Sequence, residues 1–319
     1  MVMKSQEVID RVKTALKNSL GQTIAEALND VSTEEIRANP DGKIWVVHQK
    51  KGLYDTGEVI TSIMADSVIR LMADAADIVV TDKTPLVSGE IPGSGERFQG
   101  VYPPVSTAPF FVIRKPATTI YSLDDYVEMG AATREKVATI RSLISGQKPK
   151  NIVVIGGTFT GKTTFGNALL AEPAYKKDRC LILEDRRELN FSGLDVVKLL
   201  ANEEMPMAKL LKVSLRLSPK RIILGEVRDG AAWQMVQSWN TGHDGGFGTF
   251  HANDPESALY RLEDMIGEVT ATIPRNSIIA AVGAMIHIRF DGAKRVVGDI
   301  LTLKGYNYEE RKYITEVIG

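Results

Sequence analysis

Cysteine is almost absent from this chain of 319 residues, with Cys180 the single example. One thiol can build neither a disulfide framework nor a cysteine-rich zinc module, which fits a reducing compartment; its plain reading is a small buried apolar residue. Long apolar runs are missing too. The longest, Ser277 to Ile288, covers about 12 residues, against roughly 20 for a helix that crosses a bilayer. The opening MVMKSQEVIDRVKTALKNSL is amphipathic, charged throughout, and lacks the apolar core of a signal peptide. The expectation is a cytoplasmic protein whose membrane contact, if any, is peripheral. An excess of charge of one sign is also lacking: 39 Lys and Arg stand against 40 Asp and Glu, which leaves no global basic footprint for nucleic acid. Aromatics, at 7%, are sparse for a platform that stacks single-stranded bases.

What is present is the composition of a packed globular chain, 44% hydrophobic and 25% charged, and a length that predicts two domains. The charge divides accordingly. Residues 1 to 130 hold 13 basic and 18 acidic side chains, net −5, and residues 131 to 319 hold 26 and 22, net +4. Val8, Val12, Ala15, Leu16, Leu20 and Ile24 recur at helical spacing, so one or two helices lead the chain. From Asn39 short β-like runs follow: Lys43 to Gln49, Leu53 to Val59, Leu86 to Ile91, Glu96 to Tyr102 and Phe110 to Arg114, with a helix over Thr61 to Ala76. This predicts a small α+β domain over 1–120, an ordered linker over 121–132 and a second domain over 133–319. In the second domain, apolar strands at Asn151 to Ile155, Cys180 to Leu183, Arg221 to Leu224, Gly246 to Phe250 and Met285 to Phe290 alternate with helices. Such a rhythm implies a mostly parallel sheet covered on both faces. Arg295 to Leu303 and Lys312 to Ile318 read as a terminal hairpin.

The strongest local signal is Gly156-Gly157-Thr158-Phe159-Thr160-Gly161-Lys162-Thr163, followed by Thr164, a full match to G-x-x-x-x-G-K-[ST]. The strand NIVVI enters it and a helical pattern over Thr163 to Ala171 leaves it, so backbone N–H groups and a helix N-terminus converge where phosphates bind. Lys162 supplies charge toward the outer phosphates, Thr163 a hydroxyl for Mg²⁺, and Gly161 close backbone approach. Hydrolysis also needs carboxylates for the water shell of the metal and for the attacking water. Two strand ends offer them: Glu184, Asp185 and Glu188 after Leu181, and Glu226 after Arg221-Ile-Ile-Leu-Gly225. A third cluster, Thr241-Gly-His243 to Thr249-Phe-His251, places two of the four histidines around a glycine-rich strand. They could couple the γ-phosphate to a moving segment; zinc ligation is the competing reading, weakened by the absence of a nearby cysteine or third histidine.

With these motifs in this order, the chain resembles the hexameric secretion ATPases of bacterial type IV secretion and conjugation, relatives of pilus retraction and type II secretion motors. Glu184-Asp185-Arg-Arg-Glu188 matches the family's Asp box, Gly225-Glu226 its atypical Walker B end, and His243 to His251 its His box. Arg216-x-x-Pro219-x-Arg221 matches the lead-in. The resemblance implies a C-terminal RecA-like P-loop NTPase domain with a smaller α+β, PAS-like N-terminal domain, and an activity that hydrolyses ATP with Mg²⁺. It further implies that Glu188 or Glu226 orients the attacking water, that Glu184 and Asp185 complete the acidic edge, and that His243 and His251 sense the γ-phosphate. Arg97 and Arg114, in Gly95-Glu-Arg97-Phe and Phe111-Val-Ile-Arg114, match arginines that reach the phosphates from the N-terminal domain. The implied partners are five further copies of the chain, an inner-membrane secretion channel and coupling ATPases, at the cytoplasmic side of the bacterial inner membrane, with no stable direct binding of nucleic acid. A retraction-type motor is the nearest alternative, and a nucleic-acid translocase a more distant one. The four-cysteine module of the type II secretion and pilus assembly motors is absent.

Overall fold

The computed structural model describes residues 6–116, 120–292 and 294–319. The side chains of residues 6–13 and of Lys17 lie outside the described set, and with them the apolar positions Val8 and Val12 read above. The chain divides into two compact units, Met1–Thr118 and Thr119–Gly319.

The first unit begins with α1 (Gln6–Asn29), interrupted at Gly21, whose φ of 75° leaves the helical region. Then follow β1 (Thr33–Ala38), β2 (Lys43–His48), β3 (Gly52–Val59), α2 (Ser62–Ala76), β4 (Leu86–Glu90), β5 (Arg97–Val101) and β6 (Phe110–Arg114). The six strands form one antiparallel sheet in the order β3-β2-β1-β6-β5-β4. Alternation decides its inner face: Ile36 and Ala38 of β1, Phe98 of β5, and Phe111 and Ile113 of β6 pack on Leu20 and Ile24 of α1 and Ile69 and Met72 of α2. Thr61 starts α2, its side chain accepting the Met64 N–H. One central strand escapes the sequence reading. β1 is Thr-Glu-Glu-Ile-Arg-Ala, half charged and so unlike a strand, yet it pairs with both β2 and β6. Its Glu35 is buried against Arg37, whose Nε donates to it at 2.6 Å, which makes the interior position tolerable.

The second unit holds α3 (Leu123–Glu128), α4 (Arg134–Ser145), β7 (Ile152–Gly156), α5 (Lys162–Ala171), α6 (Pro173–Lys176), β8 (Arg179–Glu184), β9 (Asp195–Leu200), α7 (Met207–Ser214) and β10 (Arg221–Leu224). It continues with α8 (Ala231–Trp239), β11 (Phe247–His251), α9 (Pro255–Gly267), α10 (Arg275–Ala281), β12 (Ala284–Asp291), β13 (Lys294–Asn307) and β14 (Lys312–Val317). The sheet runs β14-β13-β12-β7-β11-β10-β8-β9. From β12 to β9 all neighbours are parallel, while β13 and β14 join antiparallel as the predicted hairpin. Two cores cover its faces. Val153 and Ile155 of β7 enter one with Trp239 and Leu262, and Ile152 and Val154 enter the other with Phe165 and Tyr175, which explains why β7 reads as an unbroken apolar run.

Residues 121–132, read as a linker, contain α3. Ser122 and Asp125 form a capping box, and Leu123, Tyr126 and Ala131 share a core with Ile152 and Val154. The stretch is an integral layer of the second unit, too short to show helical periodicity in its sequence. β9 was likewise unread; it is the edge strand and leaves half its side chains outside the core.

Candidate functional site

β7 ends at Gly156, and the loop that follows returns at Lys162 into α5. Glycine is obligatory at the strand end, because a Cβ on Gly156 would lie 2.2 Å from the Ile288 carbonyl oxygen. Gly161, at φ 95°, takes the left-handed conformation that opens the helix. Phe159 at the apex also has positive φ, 64°, and its carbonyl accepts from Arg295 Nε at 2.9 Å. Thr160 Oγ1 donates to the Gly157 carbonyl at 3.0 Å. Thr158 is exposed on the loop and Thr164 half-buried in the first turn of α5. Lys162 is 7% exposed; its Nζ donates to the carbonyls of Gly156 (3.0 Å) and Gly157 (2.8 Å) and lies 3.1 Å from His251 Nδ1.

Parallel pairing places the other groups beside this loop. His251 ends β11 in register with Gly156; Leu224 ends β10, just before Gly225 and Glu226, in register with Leu183 of β8. The carboxyl ends of four neighbouring strands therefore present the loop, His251, Glu226 and the acids after β8 along one edge, where open α/β sheets bind ligands. Glu226 receives two hydrogen bonds from Arg228, at 2.8 and 2.7 Å, and its Oε1 lies 3.5 Å from His251 Nε2. Arg228 also approaches Asp185 at 3.3 Å. Burial pushes the Glu226 carboxyl up, but Arg228, His251 and Lys162 outweigh it and hold the group below the ordinary carboxylate range. Thr163 Oγ1 donates to Glu188 Oε2 at 3.1 Å. Glu184 differs from its neighbours: it is 2% exposed, its Oε1 accepts the N–H groups of Glu188 (2.9 Å) and Leu189 (2.7 Å), and burial pushes its carboxyl up to about 7.

Two expectations need correcting. His243 precedes β11 while His251 ends it, and the first strand residue, Phe247, pairs with Ile152 at the far end of β7. Four residues of strand separate the sheet edges by roughly 13 Å, so within this unit His243 does not join the phosphate site and the two histidines do not converge on one ion. Glu184 lies at the acidic edge by sequence, but its carboxylate faces the backbone of its own turn. The arginine that closes the predicted lead-in has a structural place. Arg221, 3% exposed, pairs with Asp178 at 2.7 Å, donates to the Ile144 and Gly245 carbonyls, and lies 4.6 Å over the Tyr175 ring.

Arg97 and Arg114 belong to the first unit, where they are register partners on β5 and β6. Glu90 pairs with Arg97 and Glu35 with Arg114, so one row crosses the sheet as Glu-Arg-Arg-Glu. Sequence reasoning overlooked Arg228 as a partner of both acids, Arg295 at the loop apex, and Asn167. The signal for Asn167 was available: an amide on a helix otherwise buried and apolar, 1% exposed, whose Nδ2 donates to the Glu188 carbonyl and whose Oδ1 accepts the Asn190 N–H.

A parallel sheet, a strand–loop–helix phosphate cradle and an acidic strand edge define the second unit as a RecA-like P-loop nucleotide-binding domain, here preceded by a smaller PAS-like α+β unit. The chain belongs to the type II/IV secretion system protein family, whose pattern matches residues 18–289. It is 39% identical over 308 residues, 95% of this chain and 94% of the other, to the conjugal transfer protein TrbB of Rhizobium radiobacter. The fold matches the X-ray structure of the Legionella pneumophila ATPase DotB with a TM-score of 0.62 at 15% identity, covering 93% of this chain and 80% of that one. It matches the pilus retraction motor PilT with bound ADP at 0.61 and 20% identity, over 87% and 80%.

Proposed function

We propose that this protein is a hexameric ATPase that couples hydrolysis of Mg·ATP to conjugative transfer or type IV secretion. The observation that carries the reading is the connected set Lys162, His251 and Glu226 beside an intact phosphate loop, in a chain of the secretion family. The residues suit the nucleotide and its metal. Loop N–H groups and the α5 N-terminus favour phosphate, Lys162 is already turned into the loop, and the Thr163 hydroxyl stands beside a carboxylate. Bound Mg²⁺ supplies charge neutralisation across the outer phosphates.

The chain's own groups divide the remaining work. Lys162 exchanges its contacts with the Gly156 and Gly157 carbonyls for phosphate oxygens. Thr163 would hold the metal, with Glu188 beside it, while Asp185 stands next to Arg228. Glu226, kept ionised by Arg228, orients the attacking water on the side of Lys162, and His251 connects the two and so reports the γ-phosphate. Arg97 and Arg114, side by side on β5 and β6, meet the phosphates from the first unit as the units close, where a guanidinium fork suits a phosphate. Turnover in a ring would then move the units in sequence. Among the described residues no helix is long and apolar enough to cross a membrane. The proposed site of action, the cytoplasmic face of the inner membrane beside a secretion channel, is supported by membership of the secretion family. The likeness to TrbB along nearly the whole chain favours conjugative transfer over pilus retraction.

Phosphate release by the purified full-length protein tests the reading. Wild type should turn over ATP with Mg²⁺, and Lys162→Ala, folded by circular dichroism, should fall by about 100-fold or more; normal turnover in that variant would sink the assignment.

A further inference from the structure

The turn that carries Glu188 is held from two sides. From β8, Glu184 accepts the N–H of Glu188 and of Leu189 on one oxygen. From α5, Asn167 donates to the Glu188 carbonyl at 3.2 Å and accepts the Asn190 N–H at 2.7 Å. The backbone of Glu188 is thus fixed at both its N–H and its C=O, and its carboxylate meets the Thr163 hydroxyl. Asn167 follows Thr163 by four residues on the same helix, so both reach the turn from one face. Room for Glu184 comes from β10: a Cβ on Gly225 would lie 3.1 Å from the Glu184 Cγ. Gly225 in turn is fastened to β11, its carbonyl accepting from Thr249 Oγ1 at 2.6 Å. The glycine before Glu226 therefore accommodates the side chain that anchors Glu188.

Removing a carboxylate from water is costly unless it gains strong partners. Here the partners are the two N–H groups of the turn, and an acid serving only the water shell of a metal would face the edge as Asp185 does.

We propose that Glu184 is a positioning residue for ATP hydrolysis: its buried carboxylate holds the backbone of the turn that presents Glu188 to Thr163, and does not itself meet metal, water or phosphate. The inference rests on the hydrolytic reading above.

Two substitutions separate reach from charge. Glu184→Gln keeps an oxygen acceptor at the same distance and removes the charge; Glu184→Asp keeps the charge and withdraws the oxygen by one methylene. For the full-length protein, kcat and KM for Mg·ATP and the affinity for a fluorescent ADP analogue are measured at one pH, with circular dichroism as the folding control. Positioning predicts that Glu184→Gln stays within about 5-fold of wild-type kcat, that Glu184→Asp loses about 30-fold or more, and that ADP affinity changes by less than about 3-fold in both. Retention of kcat by Glu184→Asp with loss in Glu184→Gln would overturn the proposal and make the charge the working element. Equal wild-type activity in both would overturn it too. An inactive wild type, or an active Lys162→Ala, would instead remove the hydrolytic reading itself.

Discussion

Burial of Glu184 makes the stability of this protein depend on pH in a calculable way. Its carboxyl is moved from the ordinary 4.5 up to about 7, chiefly by loss of water, opposed by the Leu189 N–H and the charges of Lys198 and Arg187, and assisted by Asp185. Between these values the folded protein keeps a proton that the unfolded chain has released. The contribution to stability is complete below about 4.5 and is lost as pH rises through about 7. Integrated from pH 5 to pH 8, the loss is about 2 to 3 kcal/mol. Glu184→Gln removes this titration. Urea unfolding of the nucleotide-free full-length chain measures it, in a Trp45→Phe background so that Trp233 and Trp239, both on α8, report the second unit. Wild type should lose about 2 to 3 kcal/mol relative to the glutamine variant between the two pH values. A difference constant to within about 0.5 kcal/mol would refute the reasoning, because it would mean that the carboxyl titrates alike in the folded and unfolded chain.

Arg221→Leu should lower stability by about 3 kcal/mol, since it strands Asp178 and two buried carbonyls; thermal unfolding checks this, and KM for ATP at a permissive temperature should stay near the wild-type value. His251→Ala should reduce turnover by about 10-fold or more while His243→Ala stays within about 2-fold, a contrast that reversal in a steady-state assay would overturn. Arg114→Ala should lower turnover by about 10-fold with the fold intact, and unchanged turnover with unchanged circular dichroism would exclude closure through that residue.

Legibility in the sequence followed the locality of each cause. The phosphate loop could be read because its chemistry is consecutive: glycines where a Cβ collides, a lysine within reach of its own loop, a hydroxyl at the first turn of the helix. β7 and β10 were visible because strands covered on both faces show no alternation, only apolar side chains. β1 was hidden, because pairing on both sides offsets a composition that propensity disfavours, and the two partner strands lie outside the segment; even the contact of Glu35 with Arg37, which is within it, forms only once the chain is extended. α3 was hidden for another reason: one and a half turns give too few positions for periodicity.

At the site the same distinction holds. The sequence by itself determined the family, since loop, acids and histidine each belong to a contiguous motif. Only the tertiary structure decided where each member of a motif stands and which groups it meets. His243 and His251 are equivalent in the sequence pattern, yet a β-strand carries them to opposite edges of the sheet. Glu184 and Glu188 are both acids of one box, yet the first turns inward to the backbone and the second outward to Thr163. Direction is not a property of a residue or its spacing. It is set by which strand is hydrogen-bonded to which, and here the pairing of β8 with β10, and the glycine at its end, turned one carboxylate into an anchor for another.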